Sequence, residues 1–227
     1  MFGGSDLWTA IPVIVGSYLL GSVSLSFVAG KKASGKDLTR VGSGSAGAAN
    51  VWQQGSRSMA VGAFAGDIAK GIIPVVVARM LGLGLPVELA AGLASVAGHN
   101  WSVFLGFRGG RGIATTIGLL LMVAPKELAL AVLIAAVGLP LRQLALFALF
   151  GLVSLPVMGW WWGQAQVLIA GQVAILLLAI AKRLEANRAW RVSPGKRWLV
   201  LRYRLIFDRD VRDRKAWINR DAPSPMP

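Results

Sequence analysis

Two glycine-rich segments carry most of the polar side chains that could bind a charged group. The first runs from Val41 to Asn50 and contains Gly42, Ser43, Gly44, Ser45, Gly47 and Asn50. Backbone N–H groups in such a segment can turn inward and form an anion-binding concavity, to which serine and asparagine side chains add donors. We therefore predict a phosphate or oxyanion site here. The alternative is a small-residue segment that allows close contact between membrane helices.

The same glycines also match G-x-G-x-x-G, a pattern typical of dinucleotide binding. That pattern works only between a β-strand and a helix of a βαβ unit. Apolar helical segments flank it in this chain, so the sequence argues against a dinucleotide.

The second segment follows Gly98-His99-Asn100. It consists of Arg108-Gly109-Gly110-Arg111-Gly112 and runs into an apolar stretch that contains Thr115. Two guanidinium groups, bare backbone amides and a helix start together favour phosphate binding. The alternative, arginines that reach lipid headgroups, accounts for the arginines and not for the glycines.

Two further features have both a catalytic and a structural interpretation. His99 is the single histidine, and histidine is the usual group for proton transfer near neutral pH. It is either a general base or a hydrogen-bonding partner that orients Asn100. Asp67 and Lys70 are three residues apart on one helix face, where mutual neutralisation is favoured over a direct role in catalysis.

The composition predicts a membrane protein. The 227 residues are 55% hydrophobic and only 15% charged, with a mean hydropathy of +0.61. The net charge of +14 would suggest nucleic acid in a soluble protein, but many of the bases lie in the tail from Lys182 onward, and most others lie between apolar runs. We therefore expect a lipid bilayer and not nucleic acid as the partner. With no cysteine and one histidine, neither a metal site nor a cofactor is expected.

An all-α integral membrane protein with about seven transmembrane helices is the expected fold. Apolar runs of suitable length occur at 8–29, 59–81, 86–105, 113–125, 127–141, 143–162 and 164–181. The fourth and fifth are short enough to form one broken helical hairpin. Lys and Arg are concentrated in alternate loops, which places the N-terminus outside, the C-terminus in the cytoplasm and the polar segments at the cytoplasmic face.

The chain divides into a polytopic membrane domain, 1–184, and a basic cytoplasmic tail, 185–227. The tail alternates basic and apolar residues, which is typical of a segment that lies on the membrane surface. Docking of a partner protein is the alternative, and the residues do not decide between them.

Five short motifs occur in the order and spacing of a known family. They are Gly21-Ser22, the glycine-serine segment ending in Asn50, Asp67-x-x-Lys70-Gly71, Gly98-His99-Asn100, and Phe107-Arg108-Gly109-Gly110-Arg111-Gly112-x-Ala114-Thr115. Over about residues 15–190 the chain resembles the acyl-phosphate-dependent glycerol-3-phosphate acyltransferases of bacterial membranes, the PlsY family. The resemblance implies a seven-helix protein of the bacterial inner membrane with its active site on the cytoplasmic face.

The resemblance also implies the reaction. An acyl group moves from acyl phosphate to the sn-1 hydroxyl of glycerol 3-phosphate, which gives 1-acyl-glycerol 3-phosphate (lysophosphatidic acid) and phosphate, the first step of phospholipid synthesis. No metal or cofactor takes part. An upstream enzyme that makes acyl phosphate is a further candidate partner.

Residue roles follow from the motifs as they stand in this chain. The expected catalytic residues are His99, Ser43 and Asn50. The expected substrate-binding residues are Gly42, Gly44, Ser45, Gly47, Lys70, Asn100, Arg108, Gly109, Gly110, Arg111, Gly112, Thr115, Arg183 and Asn187. Within this set, Arg111 with Arg108 and the amides from Gly109 to Gly112 would hold glycerol 3-phosphate, and the first segment would hold acyl phosphate. The chain departs from the family pattern at Ser45, Ala49 and Gln53, and has arginines at 108 and 111 where lysines are usual. It also lacks a third-motif glutamate after Asn187.

A small membrane transporter or channel for an organic phosphate is the alternative function, with the same arginines as its selectivity site. Transporters commonly show internal repeats and a binding site at the midplane of the membrane. This chain shows no convincing repeat, and its polar groups cluster at one face, so the enzyme is favoured.

Overall fold

The computed structural model describes residues 4–35, 37–39, 41–54, 56–185, 196–213 and 217. Its regular structure is helical apart from one isolated bridge between Ser102 and Arg108, which confirms the all-α prediction. The helices are α1 Gly4–Ser22, α2 Leu25–Ser34, α3 Ala48–Gln53, α4 Arg57–Met80, α5 Gly84–Asn100, α6 Ile113–Val123, α7 Pro125–Val137, α8 Leu144–Trp161, α9 Gln166–Glu185 and α10 Arg197–Phe207, with a 3₁₀ turn at Val103–Leu105.

Each of the seven expected segments contains a helix, but the helices differ in length. Four stretches of the described chain are long and apolar enough to cross a membrane: Leu7–Lys32, Arg57–Met80, Leu144–Trp161 and Gln166–Glu185. α5, α6 and α7 are shorter, with 17, 11 and 13 residues. The number of crossings and the orientation of the termini therefore stay predictions.

The first apolar stretch is not one continuous helix, because α1 ends at Ser22 and α2 begins at Leu25. Ser24 caps α2, since its Oγ accepts a hydrogen bond from the N–H of Phe27 at 3.1 Å. The expected span at 8–29 is thus broken in its second half. A second break lies at Ala124, where α6 ends and Pro125 occupies the first turn of α7.

The centre of the helix bundle is α5, which packs against α1, α4, α6 and α9. Small residues allow the closest approaches: a Cβ added to Gly98 would lie 2.1 Å from the carbonyl oxygen of Tyr18 in α1. A Cβ added to Gly118 in α6 would lie 3.0 Å from Cα of Gly71 in α4. Such contacts are typical of helix packing in membranes, where van der Waals contact drives association. Apolar side chains from the six helices α4 to α9 form the main core, among them Val75, Leu89, Val96, Leu119, Leu155 and Ile175.

The outer faces of the helices are apolar and exposed. Trp8, Leu133 and Trp160 have exposed fractions of 80%, 65% and 72%. A soluble protein rarely exposes apolar surface on this scale, whereas a bilayer solvates it. The last helix, α10, packs against α8 and α9, so the described part of the tail contacts protein. Its expected position on the membrane surface stays a prediction.

Candidate active site

The two glycine-rich segments meet at the C-terminal end of α5. The N–H of Gly110 donates to the carbonyl oxygen of His99 at 3.0 Å, and the N–H of Ala46 donates to the carbonyl oxygen of Gly109 at 3.1 Å. The second of these bonds joins the two glycine-rich segments, which are more than fifty residues apart in the chain. The structure therefore brings together the residues that the sequence assigned to one polar face.

The first segment has the backbone conformation of an anion nest. Gly42 and Gly44 have φ values of 58° and 68°, and Ser43 lies between them without a positive φ. Alternation of right-handed and left-handed residues turns successive N–H groups toward one side. The side chain of Ser43 is half-buried. The N–H of Gly44 is already bonded to the carbonyl oxygen of Val41 at 3.0 Å, so an oxyanion would be bound by the other donors of this loop, and that role stays a prediction.

Asn50 shapes that loop. Its Nδ2 donates to the carbonyl oxygens of Leu38, Val41 and Ser45 at 3.0, 3.1 and 3.0 Å. The residue is 1% exposed, and a Cβ added to Gly42 would lie 2.4 Å from its Oδ1. The amide nitrogen is thus committed to the loop backbone, which is a positioning role, whereas Oδ1 is buried without a hydrogen-bond partner among the described residues. A direct role of Asn50 in catalysis stays a prediction.

The second segment needs its glycines for close approach to α5. A Cβ on Gly110 would lie 2.0 Å from Nε2 of His99, and a Cβ on Gly112 would lie 2.6 Å from Oδ1 of Asn100. Gly112 also has a φ of 70°, which glycine adopts without strain. The N–H of Gly110 is already bonded to the carbonyl of His99, so this amide is not free to bind phosphate as expected.

His99 is held between an acidic side chain and the second segment. Its Nδ1 lies 3.5 Å from Oδ1 of Asp67, and its Nε2 faces Gly110. Ser26 Oγ donates to the other carboxylate oxygen, Oδ2, at 3.0 Å. A carboxylate behind one imidazole nitrogen orients the ring and stabilises its protonated form. The arrangement suits His99 to act as a base through Nε2.

Lys70 also contacts Asp67, but its ammonium group is enclosed by protein oxygens. Nζ lies 2.8 Å from Oδ1 of Asp67 and donates to the carbonyl oxygens of Gly21 and Val23 at 3.3 and 2.7 Å. These carbonyls end α1, where the helix dipole favours a cation. Lys70 is 3% exposed. Its geometry is that of a structural cation, and a contact with substrate stays a prediction.

Among the expected substrate-binding residues, three buried side-chain atoms lack a hydrogen-bond partner among the described residues. They are Ser45 Oγ, Asn100 Oδ1 and Thr115 Oγ1, in side chains that are 7%, 1% and 0% exposed. Such atoms are uncommon, because a buried polar group without a partner is costly. All three belong to the expected substrate-binding set. A bound ligand would supply the hydrogen bonds that these three atoms lack.

The arginines are not equivalent. Arg108 is exposed and makes no ion pair among the described residues, whereas Arg111 is paired through Nη1 with the Oδ1 of Asp208. Arg183 donates through Nη1 to the carbonyl oxygen of Leu205 at 2.9 Å and through Nη2 to that of Ala145 at 2.7 Å. Arg183 therefore joins α8, α9 and α10. Asn187, the remaining expected binding residue, lies outside the described residues.

Asp208 lies among these cations at the end of α10. Loss of hydration raises the pKa of its carboxyl group, and the positive charges of Arg111 and Arg183 oppose that rise in part. The carboxylate is therefore attracted to the arginines and yet carries a desolvation cost in this position.

Two residues at the site were missed by the sequence reasoning. Asp67 was assigned to neutralise Lys70 and not to orient His99, because only the Lys70 spacing is visible along one helix. Asp208 was assigned to a surface-lying tail. The pairing of Arg111 with Asp208 spans 97 residues, and no local pattern indicates it. Among the described residues, no three His, Cys, Asp or Glu side chains cluster to hold a metal.

The chain is similar to known proteins over most of its length. Residues 11–191 match the glycerol-3-phosphate acyltransferase family. A glycerol-3-phosphate acyltransferase of Dehalococcoides mccartyi is 34% identical over 92% of this chain and 93% of its own length. One from Neisseria meningitidis is 38% identical over 82% of this chain and 96% of its own length.

Solved structures of the same class share the fold. A crystal structure of PlsY, an integral membrane glycerol 3-phosphate acyltransferase, in its glycerol 3-phosphate form has a TM-score of 0.72 and 32% identity, and the match covers 78% of this chain and 89% of that one. The lysophosphatidic acid form has a TM-score of 0.68 and 28% identity, and the match covers 84% of this chain and 99% of that one. The family match over residues 11–191, with relatives 34% and 38% identical over most of their own length, shows that this chain belongs to the glycerol-3-phosphate acyltransferase family.

Proposed function

We propose that this chain transfers an acyl group from acyl phosphate to the sn-1 hydroxyl of glycerol 3-phosphate. The products are 1-acyl-glycerol 3-phosphate, which is lysophosphatidic acid, and inorganic phosphate. The observation that supports this most strongly is the junction at His99, where an oxyanion loop and an arginine-bearing loop meet beside one buried imidazole. The two loops would serve the two phosphorylated substrates.

The first loop suits the donor. Its nest at Gly42 to Gly44, with the unpartnered Oγ of Ser45, would hold the phosphate of acyl phosphate and the negative charge that develops on the acyl carbonyl oxygen. Donors aimed at such a developing charge lower the barrier by about 3–4 kcal/mol each. The Asn50 amide would keep the loop in this conformation.

The second loop suits the acceptor. Arg111 and the exposed Arg108 would bind the phosphate of glycerol 3-phosphate, with Asn100 and Thr115 completing the pocket. The sn-1 oxygen attacks the acyl carbonyl carbon, the bond from that carbon to the phosphate oxygen breaks, and phosphate leaves. Nε2 of His99 takes the hydroxyl proton, with Asp67 stabilising the imidazolium, and the proton then passes to the departing phosphate.

A groove between α5 and α9 suits the acyl chain. It has a volume of about 570 Å³ and is lined only by alanines and leucines: Ala90, Leu93, Ala94, Ala97, Ala174, Leu177, Leu178 and Ala181. It follows two neighbouring helices toward the end at which His99 lies, and Ala97 precedes His99 by two residues. An alkyl chain gains about 0.8 kcal/mol for each methylene buried on such a surface.

We further propose seven crossings of a bacterial inner membrane, with the N-terminus outside and the active site and tail in the cytoplasm. The short α6 and α7 would cross as a pair. Met122, near the end of α6, accepts a hydrogen bond from Arg79 at the end of α4, while Arg111 precedes the opposite end of α6. These contacts support a placement of the two ends of α6 toward opposite sides of the membrane. Residues 1–184 would form the membrane domain, and 185–227 the cytoplasmic tail.

A product assay tests the proposed function. Purified chain in detergent, supplied with glycerol 3-phosphate and either acyl phosphate or acyl-CoA, is expected to form lysophosphatidic acid with acyl phosphate alone. Equal rates with acyl-CoA would overturn the donor assignment. Uptake of labelled glycerol 3-phosphate into liposomes without a donor, together with no product in detergent, would favour the transporter.

A further inference from the structure

The chain beyond the family match returns to the candidate active site. The match ends at residue 191, and α10 follows it at Arg197–Phe207. α10 is fixed to the bundle by Arg204, whose Nη1 donates to the carbonyl oxygen of Leu184 at 2.8 Å and whose Nε donates to Asp210 at 2.6 Å. The bond from Arg183 to Leu205 adds a second attachment between α10 and the bundle, since Asp210 itself belongs to the tail.

The end of α10 is shaped to present one carboxylate. Asp208 ends the helix with φ 56° and ψ 36°, a left-handed conformation that aspartate adopts more readily than most residues. Its Oδ1 pairs with Nη1 of Arg111, and its carbonyl oxygen accepts from Nη2 at 3.3 Å. Both terminal nitrogens of Arg111 are therefore directed at one residue of the tail.

We propose that Asp208 is an internal competitor for the phosphate of glycerol 3-phosphate, so that substrate binding requires the end of α10 to leave Arg111. The proposal rests on the role of Arg111 in the proposed function. Carboxylates and phosphates bind the guanidinium fork through the same two N–H directions. One group excludes the other at this position.

The charges favour replacement of Asp208 by the substrate phosphate at Arg111, and not a permanent block by Asp208. A phosphate monoester carries close to two negative charges above its second pKa of about 6, whereas Asp208 offers one. Asp208 is also partly dehydrated in this position. The tail is covalently attached, so it competes at a fixed local concentration. It thereby raises the KM for glycerol 3-phosphate and leaves kcat little changed, because the site is the same once the tail has left.

Asp208→Asn tests the competition directly. Calorimetric titration with glycerol 3-phosphate is expected to show about fivefold or tighter binding in this variant, as an intramolecular coupling of modest size predicts. KM should fall by a similar factor with kcat unchanged. Arg204→Gln, which removes the bond from α10 to Leu184 and leaves Arg111 unaltered, should act in the same direction.

Asp213→Asn is the matched control, because Asp213 is exposed, carries the same charge and lies five residues further along. It should bind glycerol 3-phosphate as the wild type does. Unchanged or weaker binding in Asp208→Asn would overturn the proposal and would indicate that Asp208 positions Arg111. Because calorimetry needs no turnover, this result is independent of the acyl donor and of product formation.

Movement of α10 gives a second measurement. The chain has no cysteine, so spin labels can be placed at Trp198→Cys on α10, where the side chain is 74% exposed, and at the exposed Ala165→Cys at the other end of the bundle. Saturating glycerol 3-phosphate should shift the distance distribution, and Asp208→Asn should shift it without ligand. A distribution that stays fixed while glycerol 3-phosphate binds would overturn the proposal even if the chain makes lysophosphatidic acid.

Discussion

Nδ1 of His99 lies 3.5 Å from Oδ1 of Asp67, within the buried interior of the bundle. The distance is longer than a standard hydrogen bond, as is common before substrate binds. Lys70 contacts the same Oδ1, and Ser26 donates to Oδ2. The carboxylate beside His99 is therefore held in place by two other side chains.

Asp67→Asn is expected to lower kcat by about 10²-fold or more, because the amide cannot stabilise the imidazolium as a carboxylate does. KM for glycerol 3-phosphate should change little. Steady-state kinetics on protein that keeps the wild-type unfolding temperature would measure this. Ser26→Ala is the control, since it removes a hydrogen bond to Asp67 and leaves the contact with His99.

The pH dependence of His99→Gln completes that test. If Nε2 of His99 takes the proton, we expect the rate of the wild type to rise with pH and the variant to lose that rise. A profile of wild-type shape would contradict the assignment of His99 as the base and would favour proton transfer to a substrate phosphate.

Arg111→Ala is expected to lower kcat/KM for glycerol 3-phosphate by about 10²-fold or more, as for the loss of a charged contact that binds the reacting group. The KM for acyl phosphate should stay within a small factor of the wild-type value. Arg108→Ala should have the weaker effect, because exposed charges contribute less. A near-normal rate in Arg111→Ala would remove the second segment as the acceptor site.

Gly110→Ala should be far more damaging than its size suggests. The new methyl group would lie 2.0 Å from Nε2 of His99, and would push the imidazole away from the place where a substrate hydroxyl must reach it. We expect a loss of activity of about 10²-fold or more. Gly62→Ala is the matched control, since nothing lies within 4 Å of its added Cβ. Equal activity in the two variants would contradict the geometry.

How far the sequence predicts this arrangement depends on the distance between partners along the chain. The glycines of 109–112 are dense enough to indicate close backbone approach, and they do lie against the end of α5. The break at Val23 was missed, because Gly21 was assigned to a motif and not to a helix end, and the capping Ser24 is one of three serines within an apolar run. Asp67 and Asp208 were missed as site residues because His99 and Arg111, which they contact, lie far from them in the sequence. Only the packing of the bundle brings these pairs together.

Labelling from one side of the membrane tests the topology. Arg108→Cys in the second segment and Ala165→Cys in the link between α8 and α9 are both exposed positions in a chain without native cysteine. In intact inside-out vesicles, a membrane-impermeant reagent should label Arg108→Cys alone. In right-side-out vesicles it should label Ala165→Cys alone. Labelling of both positions from the same side would contradict seven crossings with a cytoplasmic active site.

Ala94→Phe tests the groove between α5 and α9. Ala94 lies within the groove lining, so a phenyl ring there should block the path of a long alkyl chain and leave room for a short one. The ratio of kcat/KM for a long-chain over a short-chain acyl phosphate should fall by about tenfold or more, since pocket volume discriminates by a few methylenes. Val132→Phe, on the outer face of α7 with 49% exposure, adds the same ring to a lipid-facing position and should leave the ratio unchanged. An unchanged ratio in Ala94→Phe would place the acyl chain elsewhere on the bundle.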